Sequence, residues 1–449
     1  MMRPRAWFRL HSWLGVLSGL LLFVLCWSGT VATLAHEIDW LLTPQLRVQP
    51  QGHFLPLEAL HRPVQAAYPQ ARIDRLQAPL GARFAAQVVI DLPAQRNVRV
   101  FVDPYTAEIR GSASYFSVQR FFRSFHITLF NGQWGLYLVW VMSVPMAVSL
   151  IAPLCFYKRW WQRFLVLKTD RGRRVFWSDA HKLVGLWCWA FGLVIAVTGL
   201  WFLFEALRGD VGDGISAWAG PGGAAMVELP RLPTQASLDI EALAAKARQG
   251  RPELDIKTLG LDRAGYFYVD GQAGQLLLRD RANKLYLDPS NGRVAYDQQA
   301  AKLSAYWRWS DTADPLHFGD FAGLGSKLLW FVFGLGLSGL CLSGAYLHAQ
   351  RLRADAAAPD RVGWAGTGAA TLATVLVLAA SVSGGLTEIQ RFGPKPGGVA
   401  QRPDIAWPVA AFLVAWVLIT LAALGWWVWM LRRPSRTLRA APGLTEIRP

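Results

Sequence analysis

The chain has 449 residues, of which 53% are hydrophobic, with 22 tryptophans and a formal net charge of +16. Its apolar residues gather in runs long enough to cross a bilayer, which excludes an ordinary soluble enzyme and predicts an integral membrane protein. The arginines and lysines cluster beside those runs, the pattern of a topology signal, so the positive charge does not mark a nucleic-acid binder.

In chain order, Arg3, Arg5 and Arg9 precede a first span expected over 13–35. Its apolar stretch exceeds the usual h-region of about 7–15 residues and lacks a good small-residue cleavage pattern, so 1–36 reads as an uncleaved anchor rather than a signal peptide. Segment 37–124 carries strand-like runs, among them ARIDRL and VRVFV, and the hairpin FVDPYTAEI, and reads as a small α+β domain outside the membrane. Segment 125–158 opens on Phe125-His126 and NGQWG and holds a second span, 136–157. A basic loop, 159–176, follows, with Arg159, Arg163, Lys168, Arg171, Arg173 and Arg174. A third span, 183–204, lies in 177–205 and starts His181-Lys-Leu-Val-Gly185. Segment 206–313 is a second α+β domain, with a short helix at EALAAKARQ, a strand at LDIKTLGL and the hairpin YLDPSNGRV. In 314–350, DPLHFGDFAGLGSK places His317 in a glycine-broken loop ahead of a fourth span, 328–347. The remainder, 351–449, has two more spans, 364–386 and 407–431, and a tail with Arg432, Arg433, Arg436 and Arg439. Putting the basic clusters on the cytoplasmic side threads all six spans, with both termini inside and both long segments outside.

The halves repeat. His11 and His181 each begin H-x3-G and are followed by a glycine 18 residues on, Gly29 and Gly199, five helical turns later and so on the histidine's face of a straight helix. The Asp-Pro hairpins match, and His126 and His317 each precede a glycine by six residues, Gly132 and Gly323. The fold class expected is a predominantly α-helical membrane protein: an internally duplicated four-span core, two additional spans, and two small α+β domains.

Six of the eight histidines stand at span boundaries: His11, His181 and His348 on the inner side, His36, His126 and His317 on the outer. Neutral imidazoles above and below a macrocycle hold a b-type haem. A pseudo-two-fold axis along the membrane normal pairs His11 with His181 and His126 with His317, as the metal ligands of two haems stacked across the bilayer. The cations for haem propionates are Arg9, Arg173 and Arg174 inside, and Arg120, Arg123 and Arg308 outside. His36 and His348 have no histidine at the matching position of the other half, and stand as alternative ligands or as part of a substrate or proton path. Asp320 is a candidate to orient His317 or guide a proton. The four cysteines, Cys26, Cys155, Cys188 and Cys341, form no CxxC or CxxCH, so haem would be non-covalent.

The H-x3-G spans, the two Asp-Pro hairpins and LHFGDFAGL resemble the PepSY-associated transmembrane proteins over about residues 5–350, most nearly the inner-membrane ferric-siderophore reductases of Gram-negative bacteria. That resemblance implies two PepSY-like periplasmic domains and two haems b. It also implies an oxidoreductase that passes electrons outward to reduce the Fe(III) of a ferric-siderophore or other ferric complex. The donor would be a quinol or a separate flavoprotein, since no flavin module of the kind some relatives carry is present. The last two spans depart from a four-span core; homodimer formation or docking of the donor are roles for them. Two rivals remain: a haem-free, membrane-anchored PepSY binding or regulatory protein, and the same electron-transfer core with a different periplasmic acceptor.

Overall fold

The computed structural model describes residues 3–169, 172–211, 229–232, 239–275, 277–354 and 361–432. Arg171, Arg433, Arg436, Arg439 and the side chains of Arg173 and Arg432 lie outside the described residues. Among the described residues five helices are long and apolar enough to cross a membrane, or six if one bent pair counts as a span. The chain is a multi-pass membrane protein.

The bent pair is α1 (Pro4–Leu17) and α2 (Gly19–Ala32), whose axes meet at 66°. The cause is local. Ser18 Oγ donates to the Leu14 carbonyl at 2.6 Å, and Gly19 follows it; a Ser/Gly pair with a back-bonded hydroxyl is a standard origin of a kink. After α3 (Ala35–Leu42) the chain leaves the bundle for α4 (His61–Ala67) and four strands, β1 (Arg72–Gln77), β2 (Ala86–Asp91), β3 (Val98–Val102) and β4 (Ile109–Ala113). It returns through α5 (Val118–Thr128), α6 (Gly132–Val141) and α7 (Ser143–Phe156). Next come α8 (Arg173–Trp187) and α9 (Trp189–Val211), which break at Cys188. Ser18 and Cys188 both stand seven residues after the first histidine of their span.

The chain leaves the bundle again for α10 (Ile240–Gly250) and strands β5 (Asp255–Leu261), β6 (Phe267–Gln272), β7 (Lys284–Leu287) and β8 (Val294–Gln298). It ends with α11 (Ala305–Phe318), α12 (Gly323–Ala354), α13 (Arg361–Arg391) and α14 (Trp407–Arg432).

The two outer segments are not separate sheets. All eight strands form one antiparallel sheet in the order β4-β3-β2-β1-β5-β6-β7-β8. The seam is the β1–β5 pair, where Leu76 faces Leu259. Alternation along each strand decides the layers. Val98, Val100 and Val102 join Val88, Leu259, Val269 and Leu287 in the core under α4 and α10, while Arg99 and Phe101 point the other way, toward the helix bundle. Two ion pairs bind the helical layer across the same seam, Arg62 with Glu241 and Arg248 with Glu58. In the bundle, α12 lies against α1, α2 and α8, and α7 against α1 and α9.

Candidate functional site

Four histidines meet in two pairs, one at each end of the bundle. At the end away from the sheet, His11 of α1 and His181 of α8 have ring centres 6.4 Å apart. At the sheet end, His126 and His317 have ring centres 6.2 Å apart. These two sit in the last turns of α5 and α11. So His317 is helical, not in a loop as expected; Gly319, at φ 73°, ends its helix in the left-handed conformation that favours glycine.

The spacing tests whether a metal fits between each pair. Two imidazoles bound to one metal sit roughly 2.0–2.1 Å from it, and a ring nitrogen lies about 1.15 Å from its ring centre given bonds near 1.33 Å. With both nitrogens turned toward the metal, the ring centres would then be about 6.3–6.5 Å apart; the His11–His181 spacing falls in that range and the His126–His317 spacing is about 0.1 Å short of it. Among the described residues no three His, Cys, Asp or Glu side chains converge on a point; a macrocycle that brings its own equatorial nitrogens needs only two.

In three of the four histidines Nδ1 faces a side-chain hydroxyl. His126 Nδ1 lies 3.2 Å from Ser28 Oγ, His317 Nδ1 2.8 Å from Thr198 Oγ1, and His181 Nδ1 2.9 Å from Ser343 Oγ. Each hydroxyl is also within hydrogen-bond reach of a backbone carbonyl, Leu25 at 3.0 Å, Val194 at 2.7 Å and Leu340 at 3.3 Å. With the hydroxyl proton given to that carbonyl, the imidazole donates from Nδ1 and keeps its Nε2 lone pair for a metal. His11 Nδ1 is buried with no hydrogen-bond partner within normal limits.

Ser28 and Thr198 were missed in the sequence, yet the repeat marks them: each directly precedes its glycine, in Ser28-Gly29 and Thr198-Gly199. Gly29 itself serves the other pair. A Cβ there would lie 2.7 Å from His126 Cε1, so the imidazole rests on bare backbone. The kink at Ser18 turns Gly29 off the His11 face that a straight helix predicts. Gly199 meets Ser143 instead of a ligand. At the far end Gly344 takes the cradling role: a Cβ there would lie 3.2 Å from His181 Cε1.

The remaining sequence candidates lie elsewhere. His348 is buried, with Nδ1 2.7 Å from Ser12 Oγ and its ring against Trp13. His36, on α3, lines a cavity beneath the sheet. Neither stands in either histidine pair. Asp320 does not orient His317; it pairs with Arg279 at 2.9 Å. Arg279 and Arg281 also reach Asp314, and Arg281 bonds Asp311, so the acids around DPLHFGD tie the His317 helix to the loop between β6 and β7. Arg9, Arg174 and Arg308 are exposed. At the far end the nearest buried-side cation is Arg351, over the Phe8 ring at 4.7 Å; Phe8 packs on Phe156, and Phe156 on His11.

The sequence profile of the PepSY-associated TM region matches residues 8–351. The chain belongs to this family. An uncharacterised protein of Pseudomonas aeruginosa is 28% identical over 322 residues, covering 67% of this chain and 78% of that protein.

All four paired histidines fall inside the PepSY-associated region, whereas α13 and α14 lie beyond it. Those two helices are nevertheless built into the sheet-end site. Arg120 of α5 donates from Nε and Nη2 to Glu388 Oε1 of α13, at 2.9 and 2.7 Å, and Ser124 Oγ donates to the same oxygen. Arg120 thus has its counter-ion, and Arg123 lines a crevice of about 470 Å³ between α5 and α13. Trp416 of α14 packs on Phe121, Phe122 and Phe125, on the turns just before His126.

Proposed function

We propose that this PepSY-associated protein is a di-haem b oxidoreductase of a bacterial inner membrane, descended from a duplicated half-protein. It would pass electrons from a cytoplasmic or membrane donor to a ferric-siderophore or similar ferric complex on the sheet side. The observation that carries the reading is the pair of histidine pairs, each spaced for one metal, one at either end of the bundle. Haem held there supplies one-electron chemistry, turning Fe(III) to Fe(II) at the cost of one electron from the donor.

The chain's own residues do the rest. His11 and His181 would hold the far haem, and His126 and His317 the near one. Ser28, Thr198 and Ser343 hold the rings in the tautomer that binds metal. Thr198 follows His181 by seventeen residues, so the two sites lie at most about 25 Å apart along α8 and α9 at 1.5 Å per residue. That is close to the roughly 30 Å hydrocarbon layer. Between them Cys188 and Phe191 pack on Trp330, Phe333 and Leu337, an apolar filling that keeps water out. Threading the basic loop on the cytoplasmic side puts the sheet, the His126–His317 pair and the PepSY-like segments in the periplasm.

A dithionite-reduced minus oxidised spectrum of the purified protein tests the proposal. A b-type α-band at about 560 nm is expected, and its absence would sink the haem reading. His126→Ala and His317→Ala should each remove the same haem, and His11→Ala and His181→Ala the other.

A further inference from the structure

The sheet carries a buried arginine that, among the described residues, forms no ion pair; the nearest acid in its cavity, Asp39, is held by backbone N–H groups. Arg99 and Lys284 occupy matching places, each four residues before the Asp of an Asp-Pro turn (Asp103 and Asp288). Opposite Lys284, on β6, stands Asp270, with Nζ and carboxylate 3.7 Å apart. Opposite Arg99, on β2, stands Val89, which is fully buried. Only 9% of Arg99 is exposed. Its Nε donates to the Ser114 carbonyl at 3.0 Å, and among the described residues its two Nη groups make no ion pair or hydrogen bond. Its guanidinium carbon lies 5.4 Å from the Phe101 ring centre, so one carbonyl and one ring face are its close partners, which compensates a charge this buried only in part.

Arg99 lines a cavity of about 390 Å³ between the sheet and the helix ends. Gln77 and Gln87 of the first four strands, Thr258 and Lys257 of the second four, and Gln119 of α5 share its wall. The cavity therefore spans the seam between the halves. Its two carboxylates are engaged: Asp39 accepts from the N–H groups of Val118 and Gln119, and Asp280 from Gln272. Lys257 is paired with Asp255.

We infer that this cavity binds a small oxygen-rich carboxylate ligand, with Arg99 Nη1 and Nη2 gripping the carboxylate and the glutamine amides its other oxygens. A single guanidinium matches a singly charged carboxylate. The carboxylates of Asp39 and Asp280 in the same wall disfavour a phosphate dianion. The volume suits a compact small molecule. Under the electron-transfer reading, on which this last identification rests, the ligand is a carboxylate-bearing ferric chelate. The cavity is then an entry site at the start of α5, the helix that ends in His126.

Isothermal titration of the full-length protein in detergent, with gluconate, an oxygen-rich monocarboxylate, and separately with inorganic phosphate, tests the site. Gluconate should bind, and Arg99→Met should weaken it at least about tenfold, the loss expected for hydrogen bonds to a charged group. Val89→Asp gives the first half the internal counter-ion of the second and should weaken gluconate as much. No gluconate heat in the unaltered protein, phosphate bound in preference, or unchanged affinity in both variants would each overturn the inference. Binding is read without reference to the absorption spectrum, so its failure and that of the haem proposal are separable.

Discussion

At the scale of single residues, the choice of hydroxyl partner decides what a buried imidazole can do. Thr198→Val keeps shape and removes the acceptor of the His317 Nδ1–H. Loss of such a partner weakens metal sites about 10–100-fold. Under the proposed haem reading, the Thr198→Val protein should fold, yet release haem from the sheet-end pair on dialysis faster than the parent; equal retention would remove Thr198 from the site. Asp270 gives a pH handle well away from the membrane. Burial raises its carboxyl from 3.8 to about 6, despite Lys284 nearby. The folded state thus binds the proton more tightly than the unfolded chain, so stability falls as pH rises from about 4 to about 6 and is flat above. Thermal midpoints of Asp270→Asn across that range should lack this decline. The four paired histidines were legible in the sequence because a duplication writes each member of a pair from one ancestral residue. Their hydroxyl partners were written twice as well, but as serine once and threonine once, a match of chemistry that identity conceals.

At the scale of elements, α5 joins every part of the site. Asp39 caps its first turn, Glu388 holds its middle, and His126 ends it on the bare backbone of Gly29. Gly29→Val puts a side chain where His126 now lies, so the protein should retain the far haem and lose the near one, read as a fall from two haems per chain to one. Breaking the middle contact with Glu388→Ala leaves Arg120 without its carboxylate in a setting where the pair is only 21% and 14% exposed. That should lower stability by about 1–3 kcal/mol, measured as a drop in thermal midpoint. The spans and the Asp-Pro strands were readable from apolar run length and alternation. The helical seats of His126 and His317 were not: both are short, end in mixed polar sequence and carry no long apolar run. Nor was the kink at Ser18 foreseen, since a serine back-bonded to Leu14 looks in sequence like any small residue in a span.

For the molecule as a whole, the two spans outside the family region contribute core, not decoration. Phe392, Val409, Leu413 and Trp416 belong to the same buried cluster as Phe122 and Phe125 of the His126 helix. A chain ended after residue 354 should therefore bind the far haem better than the near one, as the ratio of haem retained under detergent washing would record. Sequence alone separated the two outer segments into two domains, because β1 and β5 are about 180 residues apart and strand partners at that distance leave no local signal.

The shared sheet has a mechanical consequence. Membrane carriers built from repeats commonly work by swinging one repeat against the other around a central cargo. Here the repeats are stitched edge to edge by backbone hydrogen bonds at the β1–β5 seam and pinned again by Arg62–Glu241 and Arg248–Glu58. A frame fastened in this way holds its two metal-spaced histidine pairs at a constant separation. Under the proposed function, such a frame suits cargo that hops through standing matter and asks for no doorway.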